Sequence, residues 1–186
     1  MEIKDYILVK DNFLTLKQIS AIIRTFKDVK FNESTVITDK GPEVNTEERN
    51  VVDYGLNDKK NFSETHWVRY LTYKIVKETK NYINNFKLDF NLSNVLDLIL
   101  LKYQEGGYYK RHVDSGRLIH REFSVIIMLN DDYDGGSLKF FEQENMIKEV
   151  TPKAGRIIIW PSNLLYPHQA MPVTKGTRFV LVSWLD

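Results

Sequence analysis

The second half of the chain is a succession of short β-rich segments separated by glycine, and this spacing restricts the fold more than any other feature of the sequence. Glycines stand between the segments at positions 106–107, 135–136 and 155. The β-rich segments are residues 97–104, 108–112, 122–130, 137–141, 147–150, 156–160 and 177–185. Short strands at this pace predict a sandwich, a barrel or a jelly roll.

The first half has the pattern of helices. Thr15 to Gln18 form a capping box, and apolar residues then recur at helical spacing at positions 16, 19, 22, 23 and 26. Ser63 is the expected N-cap of a longer helix, whose apolar stripe is Val68, Leu71, Ile75, Tyr82 and Phe86. Residues 32–58 are polar and contain Gly41-Pro42, which predicts a loop with a short strand near residues 50–54.

Helices followed by strands predict one α+β domain whose helices pack on one outer face of the sheets. A chain of 186 residues is long enough for one compact domain with a proper core. We expect its helical part at about residues 1–94 and its strand-rich part at about residues 95–186. Residues 123–129 are apolar on both faces, as expected of a strand that lines a barrel and lies under a helix.

Composition restricts the chemistry. The chain has no cysteine, so disulfides and thiolate metal sites are excluded and any metal must bind to histidine, carboxylate or water. Twenty-six basic and 25 acidic residues leave a net charge of +1, which predicts neither nucleic acid nor a membrane as partner. The start of the chain has no apolar stretch of the signal-peptide type, and we expect a soluble, cytoplasmic protein.

Three residues have the pattern of a metal site. His112 and Asp114 are two residues apart, and on an extended segment both side chains point the same way. His168 lies between two later β-like segments, from which a third ligand can approach. Two histidines and one carboxylate form the facial triad, which leaves adjacent positions open on Fe(II). An exposed histidine beside an aspartate is the alternative for the pair taken alone.

Arg178 is the candidate for an anion site. It follows His168 by ten residues and stands in a β-like segment with Val180, Val182 and Trp184 on the same side. An inward-pointing arginine among apolar neighbours needs an anion, and its planar guanidinium suits a carboxylate. An internal salt bridge is the alternative.

Taken together, these motifs resemble the prolyl 4-hydroxylase-type branch of the 2-oxoglutarate/Fe(II)-dependent dioxygenases. The resemblance covers roughly residues 95–186, about half of the chain. It depends on Arg121, on the MLN motif at 128–130, and on the segments 103–114 (YQEGGYYKRHVD), 134–140 (DGGSLKF), 152–161 (PKAGRIIIWP), 167–173 (PHQAMPV) and 176–184 (GTRFVLVSW).

The resemblance implies a double-stranded β-helix (jelly-roll) core and assigns roles to particular residues. His112, Asp114 and His168 would hold Fe(II), and Arg178 would bind the distal carboxylate of the co-substrate 2-oxoglutarate, with Tyr103 nearby. O2 would be the second co-substrate and ascorbate the reductant. Two positions depart from the pattern of relatives: Met128 replaces a tyrosine and Val182 replaces a threonine.

The expected reaction is hydroxylation of a C–H bond, with release of succinate and CO2. A proline in a peptide or protein is the favoured substrate, with residues 32–58 and 115–120 flanking the groove. Its candidate lining residues are Tyr108, Tyr109, Arg111 and Trp160. A free amino acid or other small molecule is the second hypothesis, and a binding module without catalysis is the third. Nucleic-acid demethylases of the alkylation-repair type characteristically have an arginine where this chain has Trp184.

Overall fold

The computed structural model describes residues 1–56 and 61–186, and its helices lie in the first half as predicted. A short 3-10 helix, Ile3–Tyr6, precedes α1 (Leu16–Thr25) and α2 (Phe62–Asn85). Thr15 caps α1 in the predicted capping box with Gln18. The prediction for α2 is wrong by two residues, because Asn61 rather than Ser63 accepts the backbone N–H of Glu64, at 3.0 Å.

The strand-rich second half is also as predicted, and additional short strands occur in both halves of the chain. The described strands are β1 (Leu8–Lys10), β2 (Asn32–Glu33), β3 (Val36–Thr38), β4 (Gly41–Glu43), β5 (Arg49–Asn50), β6 (Val52–Gly55), β7 (Val95–Tyr103), β8 (Tyr108–His112), β9 (Phe123–Met128), β10 (Asp134–Gly135), β11 (Leu138–Glu142), β12 (Asn145–Val150), β13 (Ile157–Pro161), β14 (His168–Ala170), β15 (Val173–Lys175) and β16 (Arg178–Leu185).

Two antiparallel sheets form the body of the domain. The large sheet has the order β1-β13-β9-β16-β7-β6-β2, and the small sheet has the order β12-β11-β14-β8-β5. The pairs β3–β4 and β10–β15 form separate two-stranded ribbons. Strands that are distant in sequence alternate in both sheets, which is the connectivity of a jelly roll.

The large sheet is apolar on both faces. On β13, Ile158 and Trp160 belong to the inner cluster between the sheets, which also contains Leu138 and Phe140 of the small sheet. Their neighbours on the opposite face belong to an outer cluster shared with buried residues of α1 and α2. The prediction that residues 123–129 are buried on both faces is confirmed, since β9 contributes to both clusters.

The segment predicted as a polar loop contains more structure than expected. Ribbon β3–β4 turns through Asp39 and Lys40, and the next residue, Gly41, has a φ of 106°, a value that favours glycine. The predicted strand near residues 50–54 is present as β5 and β6. Residues 57 and 58 of this segment lie outside the described residues. Among the described residues, no helix is long and apolar enough to cross a membrane.

Candidate active site

Strand pairing in the small sheet brings the two candidate histidines together. β8 ends at His112, β14 begins at His168, and these residues are antiparallel partners. Asp114 follows β8 by two residues, and the ligand atoms of all three lie within 4.8 Å of one another. Nε2 of His112 is 3.5 Å from Oδ1 of Asp114, and Nε2 of His168 is 3.5 Å from Oδ2. The structure thus assembles the set that the spacing predicted.

Backbone carbonyls orient both imidazoles. Nδ1 of His112 is 2.7 Å from the carbonyl oxygen of Lys110, and Nδ1 of His168 is 3.0 Å from that of Tyr166. A carbonyl oxygen only accepts hydrogen bonds, so each Nδ1 carries the proton and donates. Each Nε2 therefore presents a lone pair to the centre of the group, as metal-binding histidines do.

Electrostatics favour a neutral imidazole beside an ionised carboxylate. Burial, together with the neighbouring His112, lowers the pKa of His168 to about 4, against the opposing effect of Asp114. Burial opposes ionisation of Asp114, but His168, His112 and a hydrogen bond from Ser124 together bring its pKa well below the usual range. These are the protonation states in which such residues bind metal ions.

A cavity of about 460 Å³ extends from the three residues to Arg178. Four of the other predicted site residues line it: Tyr103, Tyr109, Trp160 and Arg178. The ring of Tyr109 stacks on His112 with centroids 3.6 Å apart. The rings of Trp160 and His168 lie edge to face with centroids 4.9 Å apart. The cavity volume is sufficient for small-molecule binding.

Arg178 is fully buried, with 0% of its surface exposed, and it faces an aromatic ring rather than a carboxylate. Its antiparallel partner on β7 is Tyr103, and its guanidinium carbon lies 4.6 Å from the centre of that ring. No carboxylate of residues 1–56 or 61–186 forms an ion pair with it, and its Nε and Nη1 have no hydrogen-bond partner there. Within this part of the chain, the salt-bridge alternative is not supported.

Two predicted lining residues lie elsewhere. The side chain of Arg111 pairs with Glu144 at 3.2 Å and hydrogen-bonds to the carbonyl of Gln143, on the β11–β12 turn. The hydroxyl of Tyr108 donates to the carbonyl oxygens of Thr46 and Glu47, at 3.2 and 3.0 Å. Neither residue lines the cavity, so both assignments are corrected.

Two residues near Asp114 have contacts that were not predicted. Nη1 of Arg121 donates to the backbone carbonyl of Asp114 at 3.3 Å, and its guanidinium carbon lies 3.6 Å from the centre of the Trp184 ring. Ser124 donates to Oδ2 of Asp114 at 2.6 Å. Arg121 and Trp184 also line the cavity. The available signal for Ser124 was a hydroxyl in an otherwise apolar strand.

The cavity mouth lies between the β3–β4 ribbon and residues 113–119. Ile37 of the ribbon and Leu118 of the second segment are exposed apolar side chains that line this opening. An ion pair between Asp39 and Arg117, at 3.3 Å, joins the two segments. The mouth therefore combines apolar and charged groups, while the interior is closed by the two sheets.

The geometry agrees with the comparison to known proteins. Residues 98–186 match the family model described as the 2OG-Fe(II) oxygenase superfamily. This match supports the 2-oxoglutarate oxygenase family that the sequence motifs predicted. A PKHD-type hydroxylase of a Synechococcus species (strain JA-2-3B'a(2-13)) is 31% identical to this chain over 97 residues. The aligned region covers 48% of this chain and 42% of that protein. The prediction of a prolyl 4-hydroxylase-type 2-oxoglutarate oxygenase is confirmed at the level of family.

Several solved structures share the fold of this chain. A prolyl hydroxylase in complex with a hypoxia inducible factor peptide fragment, from Trichoplax adhaerens, matches with a TM-score of 0.78 and 19% identity, over 97% of this chain and 83% of that one. A Pseudomonas putida prolyl-4-hydroxylase matches with a TM-score of 0.75 and 21% identity, over 97% and 92%. These likenesses confirm the jelly roll. The chain spans less than half the length of the curated PKHD-type relatives.

The contact between the Tyr103 ring and the guanidinium of Arg178 leads to a prediction about stability. Replacing Tyr103→Leu removes a cation–π contact in a desolvated site, and we expect the free energy of unfolding to fall by at least about 2 kcal/mol. Tyr103→Phe retains the ring face and is the matched control, with a smaller expected loss. Chemical denaturation of the three proteins measures the difference. Equal losses for the two variants would contradict a role for the ring.

Proposed function

We propose that the chain is an Fe(II)-dependent hydroxylase that uses 2-oxoglutarate and O2. His112, Asp114 and His168 hold the metal, and Arg178 binds the distal carboxylate of 2-oxoglutarate. The observation that carries this proposal is the buried guanidinium of Arg178, which has no carboxylate partner among the described residues and opens on the cavity of the three-residue group. An unpaired buried cation is unfavourable unless an anion binds beside it.

The residues present fit an Fe(II) site. Two imidazole nitrogens and one carboxylate, without thiolate, are the donor set of non-haem Fe(II) oxygenases, and the ion retains open positions. Fe(II) and 2-oxoglutarate, when bound, supply oxidation of a C–H bond by O2, with release of succinate and CO2. We propose ascorbate as the reductant, as the family resemblance implies.

The chain's own residues orient the reactants and exclude water. Arg178 binds one end of the co-substrate, and the ring face of Tyr103 packs against the guanidinium. Met128 has no hydroxyl to offer the co-substrate, and it is buried and does not line the cavity. Trp160 closes the cavity beside His168 with an apolar surface. The acid pocket therefore depends mainly on Arg178.

We propose a proline in a peptide or protein segment as the substrate. Names of relatives support this, since one neighbour in fold is a prolyl hydroxylase in complex with a peptide. The cavity mouth supports it as well, because the β3–β4 ribbon and residues 113–119 form two sides of an opening that suits an extended chain. Tyr109 and Trp160 are the proposed substrate contacts that remain from the sequence analysis, with Arg121 added.

Removing a metal ligand should abolish both metal binding and turnover. We expect His112→Ala and Asp114→Ala each to lose Fe(II) binding in anaerobic calorimetric titration, while circular dichroism remains that of the wild type. His120→Ala is the matched control, because His120 is exposed and does not line the cavity. Fe(II) affinity within a few-fold of wild type in either ligand variant would overturn the assignment.

Removing the guanidinium should weaken co-substrate binding selectively. We expect Arg178→Ala to raise the 2-oxoglutarate requirement about ten- to a hundredfold, because a charge-assisted pair contributes about 1.5–3 kcal/mol. Iron affinity should change far less. Arg111→Ala is the control for loss of an arginine outside the cavity. A 2-oxoglutarate titration of Arg178→Ala that overlays the wild type would refute the role of Arg178.

The substrate proposal is tested with a library of proline-containing peptides. We expect some peptides to gain one oxygen atom on proline, detected by tandem mass spectrometry, and to stimulate succinate formation. The same peptides with alanine in place of proline should be inert. Free L-proline and other free amino acids are incubated in parallel. Oxidation confined to a free amino acid would replace the peptide hypothesis with the small-molecule alternative and leave the metal site unaffected.

A further inference from the structure

Two buried serines form a hydrogen-bonded chain that ends on Asp114. Oγ of Ser124 is 2.6 Å from Oδ2 of Asp114, and Oγ of Ser162 is 2.7 Å from Oγ of Ser124. Both serines are almost fully buried, with 0% and 1% of their surfaces exposed. Ser124 lies on β9 in the large sheet, and Ser162 directly follows β13, its neighbour. We call these two residues the serine pair.

Counting the available hydrogens determines which group donates in each hydrogen bond of the serine pair. A serine hydroxyl has one hydrogen to donate, and an ionised carboxylate only accepts. Ser124 must therefore give its hydrogen to Asp114 and accept the hydrogen of Ser162. Hydrogen bonds in such a chain strengthen one another. The order Ser162 to Ser124 to Asp114 follows from the two distances and this count.

The backbone fixes both ends of this chain. The N–H of Ser162 donates to the carbonyl of Glu122 at 2.9 Å, and the carbonyl of Ser162 accepts the N–H of Ser115 at 3.0 Å. Ser115 is the residue after Asp114, so Ser162 is tied to the loop that carries the carboxylate. The large sheet, rather than the loop alone, therefore determines where this carboxylate points.

We propose that the serine pair positions Asp114 as a one-oxygen metal ligand, an inference that rests on the proposed function. The hydrogen bond from Ser124 occupies one lone pair of Oδ2, which also lies 3.5 Å from Nε2 of His168, and so favours Oδ1 as the oxygen that binds the ion. A carboxylate that binds through both oxygens occupies a further coordination position. Restricting Asp114 to one oxygen leaves that position for the co-substrates, as the open facial site requires. Ser124 and Ser162 are positioning residues in this scheme.

The test measures metal affinity rather than turnover. Calorimetric titration of the metal-free chain with Co(II) reports binding in the absence of 2-oxoglutarate and O2. We expect Ser124→Ala to weaken Co(II) binding about ten- to a hundredfold, as is usual for groups that orient metal ligands. For Ser162→Ala we expect a loss on the order of two- to fivefold, because it acts only by strengthening the first hydrogen bond.

A double variant and two controls make the test specific. Since Ser162 acts through Ser124, the Ser124→Ala/Ser162→Ala chain should bind Co(II) as weakly as Ser124→Ala alone. Ser124→Thr retains the hydroxyl and should restore affinity. Ser183→Ala is the matched control, because Ser183 is equally buried in the large sheet but donates to the backbone carbonyl of Asp97, at 2.7 Å. Thermal melting of every variant confirms that the domain is folded.

Two results would contradict the positioning role of the serine pair and leave the proposed function intact. One is wild-type affinity in a folded Ser124→Ala chain. The other is a further loss from Ser162→Ala in the Ser124→Ala background, which would mean that Ser162 acts independently. Should Ser124→Ala fail to fold, affinity in Ser162→Ala equal to wild type would also refute the proposal. If the wild-type chain itself does not bind Co(II) or Fe(II), the proposed function fails, and this inference fails with it.

Discussion

The antiparallel pairing of β8 with β14 is the constraint on which the candidate site depends. It sets His112 opposite His168 although 56 positions separate them in the sequence. Each of these strands has a neighbour on both sides in the small sheet, so neither histidine lies on an edge strand. A shift of one residue in the pairing would turn the imidazoles to opposite faces and separate the ligand set.

The two charged residues of the inner cavity are stabilised in different ways. Asp114 accepts a hydrogen bond from the hydroxyl of Ser124, and its neighbours hold the pKa of its carboxyl well below the usual range. Arg178 has the face of Tyr103 and, among the described residues, no carboxylate partner. A protein that leaves one buried cation uncompensated beside an open cavity is organised to bind an anion there. This asymmetry connects the packing of the jelly roll with the proposed use of 2-oxoglutarate.

The large sheet gives the site its rigidity because it is covered on both faces. One face shares the outer cluster with the helices, and the other carries Trp160, Ser124 and Arg178 toward the cavity. Groups held by such a sheet keep their geometry without a ligand. The cavity mouth is built differently, since the β3–β4 ribbon forms a separate two-stranded sheet, and an exposed ion pair between Asp39 and Arg117 joins it to residues 113–119.

Local sequence patterns predicted the features that depend on neighbouring residues. The Thr15 cap, the apolar stripes, the strand-rich half and the His112–Asp114 spacing all follow from intervals of two to four residues, which the backbone geometry of helices and strands dictates. The β-like context of His168 and Arg178 pointed to the third ligand and the anion site, and the family motifs assigned their roles. Alternation along β8 was less reliable, because the register of β8 against β14 shifts between His168 and Ala170. That irregularity lets Tyr109 stack on His112, three residues away, while Arg111 contacts the β11–β12 turn.

The amino-acid sequence by itself thus predicted the type of fold, the group of His112, Asp114 and His168 that could hold a metal, and the inward-pointing arginine. Only the tertiary structure decided which side chains meet inside the cavity. Ser124 contacts Asp114 between the large sheet and the loop after β8, and Arg178 lies over Tyr103 through the pairing of β16 with β7. No local interval encodes these contacts, because they depend on the register of several strands at once and on the distance between two sheets.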